Sequence, residues 1–176
     1  LHEVATGKQR SLGHTSTKVN AVAFSPDGTT IASAGGDGML TEWSLAGAIV
    51  SRRYATTDLG MLSYSPDGAR LVALGGDRVV RVWQRGTSFV TSLPAAQARQ
   101  HVPAWGAGGA TLVMTGSDGE VRIFRMPTTL GLGTFALAPP LLQVGLIAGG
   151  DVAIAAGDGR VLLMDPSTGK TRVAGK

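Results

Sequence analysis

Four aspartates recur at almost equal intervals along this chain: Asp37, Asp77, Asp118 and Asp158, separated by 40, 41 and 40 residues. Each sits in a glycine turn, reading GGDG, GGDR, GSDG and AGDG, with an apolar run on either side. A turn held at fixed phase over a period near 40 means one supersecondary unit used four times. Such units bury their apolar faces against their neighbours, so stacking is what makes them stable. The pattern points away from catalysis and toward an interaction surface.

Aligned on its Asp, each unit places Trp43, Trp83, Phe124 or Met164 six residues later. Ser25-Pro26-Asp27-Gly28 returns 40 residues on as Ser65-Pro66-Asp67-Gly68. Phe24 and Tyr64 precede those turns, and Trp105 holds the same phase in the third unit. In the first unit the apolar runs cover 19–24, 29–35 and 39–44, and a fourth covers 48–54. Each is about six residues, a normal strand length. Between them lies turn chemistry, since Gly supplies positive φ and Asp bonds within its own turn. The spacing predicts an all-β chain of four four-stranded antiparallel units. Their boundaries fall near 1–44, 45–84, 85–125 and 126–165, with 166–176 a further outer strand.

Four-stranded units of this period, with a GH pair before and an aromatic closing the third strand, resemble the WD40 β-propeller. Gly13-His14 stands for the GH pair and Trp43-Ser44 for the WD pair. The resemblance implies a hydrogen-bonded group of Trp43, Ser33, His14 and Asp37 inside the first blade. A buried indole N–H and a turn carboxylate both need partners. The later units depart from that pattern. Ala73, Met114 and Ile154 replace Ser33, and Phe124 and Met164 replace the Trp in units three and four. Asp77, Trp83, Asp118 and Asp158 remain as parts of the same network, and those three blades are expected to be held mainly by packing.

The chain's 176 residues suffice for a sizeable core, and 43% hydrophobic content suits a globular protein. There are 26 glycines and no cysteine, which excludes disulfides and thiolate metal sites. The formal charge is +4, and twelve of the 16 basic residues are Arg. They are scattered, with Arg52-Arg53 the one doublet, so no run tracks a phosphate backbone and no nucleic-acid partner is expected. The stretch 126–150 is uncharged but carries Pro139-Pro140 and five glycines, which argues against a membrane span. A cytoplasmic location is expected.

Other motifs carry little. Gly131-Leu132-Gly133-Thr134-Phe135-Ala136 matches a dinucleotide fingerprint, with Asp151 twenty residues on. That chemistry needs a helix at the glycines, where the repeat places strands. His2, His14 and His101 lack ligand spacing, and the turn aspartates form no calcium loop, so neither metal nor cofactor is expected. Pro103 falls inside the first strand of unit three, where edge placement tolerates it.

Residues 1–10 resemble the exit from a third strand into an outer strand, and 166–170 repeat that theme. This surplus outer strand, with four units where the family commonly has about seven, predicts part of a larger ring. Missing blades of the same polypeptide, or self-association, would then cover its ends.

The resemblance implies a non-catalytic scaffold that binds a protein or peptide on a rim of loops. Here the rim comprises residues 15–18, 56–60, Arg78 and 96–101. Lys18, Arg78, Arg99 and His101 are its candidate contacts, suited to an acidic partner. The alternative is a regulatory or sensor tail of a larger bacterial signalling enzyme such as a kinase. It rests on the Ala-, Gly- and Arg-rich composition with four Lys.

Overall fold

Ser25 Oγ–H donates to Asp27 Oδ1 at 2.5 Å, and that oxygen also accepts the Thr29 N–H at 3.0 Å. Ser25 Oγ in turn accepts the Thr30 N–H at 3.0 Å, and Gly28 takes φ 68°. Ser65, Asp67 and Gly68 repeat this geometry 40 residues later, again at 2.5 Å and φ 68°. Three hydroxyl and amide hydrogen bonds hold the Asp27 carboxyl down to about 2, that of Ser25 being the largest. The turn is thus stitched from its own side chains, and it returns the strand as an antiparallel neighbour.

A computed structural model of the chain describes residues 1–13, 18–93, 103–126, 131–137, 140–147 and 151–175. The first sheet holds β1 (Val19–Phe24), β2 (Thr30–Gly35), β3 (Met39–Ser44) and β4 (Ile49–Tyr54). The second holds β5 (Leu59–Tyr64), β6 (Arg70–Gly75), β7 (Val80–Gln84) and β8 (Val90–Leu93). The third holds β9 (Ala104–Trp105), β10 (Thr111–Thr115), β11 (Glu120–Arg125) and β12 (Gly131–Ala136). The fourth holds β13 (Leu141–Leu146), β14 (Val152–Ala156), β15 (Val161–Met164) and β16 (Thr171–Gly175). Within every sheet, sequence neighbours are spatial neighbours, and all pairs are antiparallel. The first-unit strands agree with the sequence reading to within one residue.

Two local features differ from that reading. Residues 1–10 form a hairpin closed by the one bridge between His2 and Gln9, not an outer strand. The ammonium group of Leu1 and the N–H of Arg10 turn onto each other's ends, donating to Arg10 O and Leu1 O, so the segment pairs with itself. Pro103 stands just before β9 instead of inside it. Proline has no N–H for the ladder, so pairing begins at the next residue.

The sheets stack through their faces. Ala32, Ala34 and Leu40 of the first meet Leu59, Leu62 and Leu71 of the second. Val72, Val80 and Val82 of the second meet Leu112, Met114 and Phe124 of the third. Val113, Val121 and Ile123 of the third meet Val144, Val152 and Ile154 of the fourth. Alternating β positions serve opposite neighbours, so Val72 and Ala73, both fully buried, lie in different clusters. Among the described residues no cluster joins the fourth sheet to the first. The free face of the first sheet leaves Val22 66% and Phe24 59% exposed.

Candidate functional site

In the first blade, β2 and β3 set Ser33 opposite Thr41 and Ile31 opposite Trp43. This register puts the Trp43 indole beside Ser33, and Trp43 Nε1–H donates to Ser33 Oγ at 2.8 Å. Both residues are buried. Asp37 Oδ1 accepts the Met39 N–H at 3.0 Å, closing the β2–β3 turn. Gly13 packs its backbone on the indole, and a Cβ there would lie 2.4 Å from the Trp43 ring. His14 lies outside the described residues. This blade therefore holds the Trp43–Ser33 bond and, separately, the Asp37 turn bond.

The other blades replace the network with a different contact. In the second, Arg81 Nη1 and Nη2 donate to Asp77 Oδ1 and Oδ2 at 3.0 and 2.5 Å. In the third, Arg122 holds Asp118 in the same way, at 3.4 and 2.5 Å, and also contacts Glu120. In the fourth, Arg160 reaches Asp158 from two residues away. The guanidinium of Arg81 holds the Asp77 carboxyl below its ordinary value, and Arg122 does the same for Asp118. For Asp158 the Arg160 backbone N–H is the main cause of lowering. These turn ion pairs add to the packing that the sequence led one to expect as the main hold on these blades. The signal was legible, because Arg81 and Arg122 each stand four residues past the turn Asp, where the first blade has Thr41. Trp83, Phe124 and Met164 are buried in the clusters that join their sheets to the preceding ones.

In the first, second and fourth blades the residue before the first strand lies beside the turn between the second and third strands. Gly36 N–H donates to Lys18 O at 2.9 Å, and Gly76 N–H to Asp58 O at 3.0 Å. Lys18 and Arg78 are therefore at equivalent ends of adjacent blades, and both are exposed. Arg78 adopts φ 65° at the turn position that Gly38, Gly119 and Gly159 fill in the other units. Arg99 and His101, the other two candidate contacts, lie outside the described residues. The glycines of the dinucleotide-like stretch lie in strand β12, with no helix following them. Among the described residues there is no cluster of His, Asp and Glu able to hold a metal, and no helix long and apolar enough to cross a membrane.

Sequence reasoning missed one buried charge. Glu42 is 2% exposed and lies between the first two blades. Its Oε2 accepts from Ser51 Oγ at 2.7 Å and Arg53 Nη1 at 2.8 Å. Its Oε1 accepts from Arg85 Nε at 2.7 Å and Tyr64 Oη at 3.1 Å. Burial pushes the carboxyl up, but Ser51, Arg53 and Arg85 together pull it below its ordinary value. Burial is also the main reason the Tyr64 hydroxyl is pushed up to about 12, with Glu42 adding to it. The signal lay in the alignment, where Val82, Ile123 and Leu163 stand at the position of Glu42. A lone charge at a position otherwise apolar needs partners in the fold.

Residues 7–44 and 56–84 match the family model described as WD domain, G-beta repeat. No curated protein matches the chain. The matched segments contain the Gly13, Ser33, Asp37 and Trp43 group and the Asp77–Arg81 turn. With its four-stranded antiparallel units, the chain over residues 7–84 belongs to the WD40 repeat family.

Proposed function

We propose that this protein is a non-catalytic interaction scaffold whose partner, a protein or peptide, docks on the rim containing Lys18 and Arg78. The observation that carries the reading is the pair of backbone hydrogen bonds from Gly36 to Lys18 and from Gly76 to Asp58. They tie the loop entering each blade to the turn between its second and third strands. Adjacent blades thereby offer one continuous loop edge on a rigid base. Lys18 and Arg78 give that edge positive charge, which favours an acidic partner through electrostatic complementarity. Arg78 supports the reading further. A non-glycine residue at positive φ is strained by roughly 1–2 kcal/mol, and strain of this kind concentrates at functional positions.

The test is an array of immobilised acidic 12-residue peptides probed with the wild type and with the Lys18→Glu and Arg78→Glu variants. Binding should fall at least tenfold in each variant while thermal melting stays unchanged. Acidic binders that ignore both reversals would rule out the rim.

A further inference from the structure

The Glu42 cluster forms the floor of an open cleft of about 750 Å³ between the outer parts of blades 1 and 2. We propose that this cleft is a binding groove for an extended acidic peptide. It lies on the flank of the blades and does not depend on the rim reading.

The charge count sets the ligand class. Arg53 and Arg85 line the cleft and are both held by the buried Glu42. Arg52 also lines the cleft and is exposed, so three guanidinium groups stand against one carboxylate and leave two positive charges in excess. Arg85 is further pinned by Gly68 O and Thr30 Oγ1, at 3.1 and 3.2 Å, and sits over the Tyr64 ring at 5.2 Å. The cationic floor is therefore preorganised before any ligand arrives, which lowers the cost of binding. This small positive excess suits the carboxylate of an acidic peptide. It is too little for a nucleic-acid backbone, which needs several neutralising contacts.

The walls set the shape. β4 and β8 are the outermost strands of their sheets, so each keeps one edge without a partner strand. An extended chain pairs with such an edge through its backbone and reads side chains through adjoining pockets. Val50 and Val90 flank the cleft, 55% and 43% exposed, and supply apolar contact. Ser88 stands at the cleft, exposed and with no hydrogen bond among the described residues, free to meet a ligand. The volume falls in the range of small-ligand and peptide sites.

The experiment uses three fluorescein-labelled decapeptides of alternating Thr and Val that differ in one central residue, Glu, Gln or Lys, and a labelled (dT)10 oligonucleotide. Fluorescence anisotropy is read on the whole chain, on Ser88→Glu, and on Thr168→Glu as an equal charge change in the fourth blade. Ser88→Glu places a carboxylate at the cleft without touching Glu42, Arg53 or Arg85, and matching melting curves check that it folds. The Glu peptide should bind at least tenfold more tightly than the Gln and Lys peptides. Ser88→Glu should weaken it at least tenfold, and Thr168→Glu should leave it unchanged. Equal binding of Glu and Gln peptides, indifference to Ser88→Glu, or no peptide binding up to millimolar concentration would each overturn the proposal. Tighter binding of (dT)10 that Ser88→Glu abolishes would instead make the cleft a nucleic-acid surface.

Discussion

Arg81 grips Asp77 with two N–H···O hydrogen bonds, across four residues and around a glycine. The glycine is Gly75, two residues before the Asp, and a Cβ there would lie 2.4 Å from Asp77 Oδ1 and 2.6 Å from Arg81 Nη1. Gly116 makes the same room for Asp118 and Arg122, at 2.3 and 2.9 Å. The fourth blade has Ala156 at that position and Leu162 four residues past Asp158, and there Arg160 comes from another side. Glycine and arginine stand together in the two middle blades, while the first blade keeps the glycine, Gly35, with Thr41 in place of the arginine.

Removing the arginine should weaken the second blade in a pH-dependent way. Asp77 is held below its ordinary value of 3.8, chiefly by Arg81. A carboxyl whose folded value is depressed adds stability that is complete above its unfolded value and disappears as pH falls through its folded value. Arg81→Met should therefore cost about 0.5–1 kcal/mol at neutral pH, the upper range for exposed pairs, because Asp77 is partly in water. The difference from wild type should shrink below about pH 5. Urea melts at pH 7 and pH 3 check this, and a cost equal at both would show that Arg81 acts by packing.

Adding a methyl group at the glycine should disrupt the same pair from the other side. Gly75→Ala forces a Cβ against Asp77, Arg81 and Thr57, and should destabilise by about 1–3 kcal/mol. Gly60→Ala meets nothing within 4 Å and has no positive φ, so it should be neutral or slightly stabilising. Similar melting temperatures for the two variants would contradict the geometry.

The Trp43–Ser33 hydrogen bond should appear as a coupling energy. Trp43→Phe and Ser33→Ala each remove one partner of a buried bond, with an expected cost of about 1–3 kcal/mol apiece. The double variant should recover roughly 1 kcal/mol relative to the sum. The equivalent residues of the fourth blade, Met164 and Ile154, carry no such bond. Denaturant titrations of the four proteins measure the cycle, and strict additivity would exclude the bond as a stabilising contact.

The free face of the first sheet should make the chain associate with itself. Val22, Phe24 and Tyr54 are 66%, 59% and 68% exposed, and their register puts them on the face away from the second blade. Exposed apolar area of this kind marks an interaction surface. Light scattering should show mass rising with concentration, and Phe24→Asp with Val22→Thr should suppress it. A monomer at all concentrations would mean that this face is inert.

The period of the turn aspartates, read without any structure, determined the four repeated units and the turns between their second and third strands. These are local properties. Asp27 bonds Thr29 and Asp37 bonds Met39 two residues on, so composition over a few positions suffices. The Trp43–Ser33 bond was expected from the family resemblance, and the β2–β3 register brings the two side chains together. The Asp–Arg pairs were readable in principle from four-residue spacing, but only the fold shows Gly75 and Gly116 clearing space for them. Tertiary structure alone decided what meets between blades. Arg85 reaches Glu42 across 43 residues, and Asn20 reaches Leu59 O across 39. Those separations span a whole unit, and the partners face each other only after two sheets have stacked. Nothing in the local sequence around Glu42 specifies Arg85, so the buried cluster and the cleft above it belong to the packing of blades and not to the repeat.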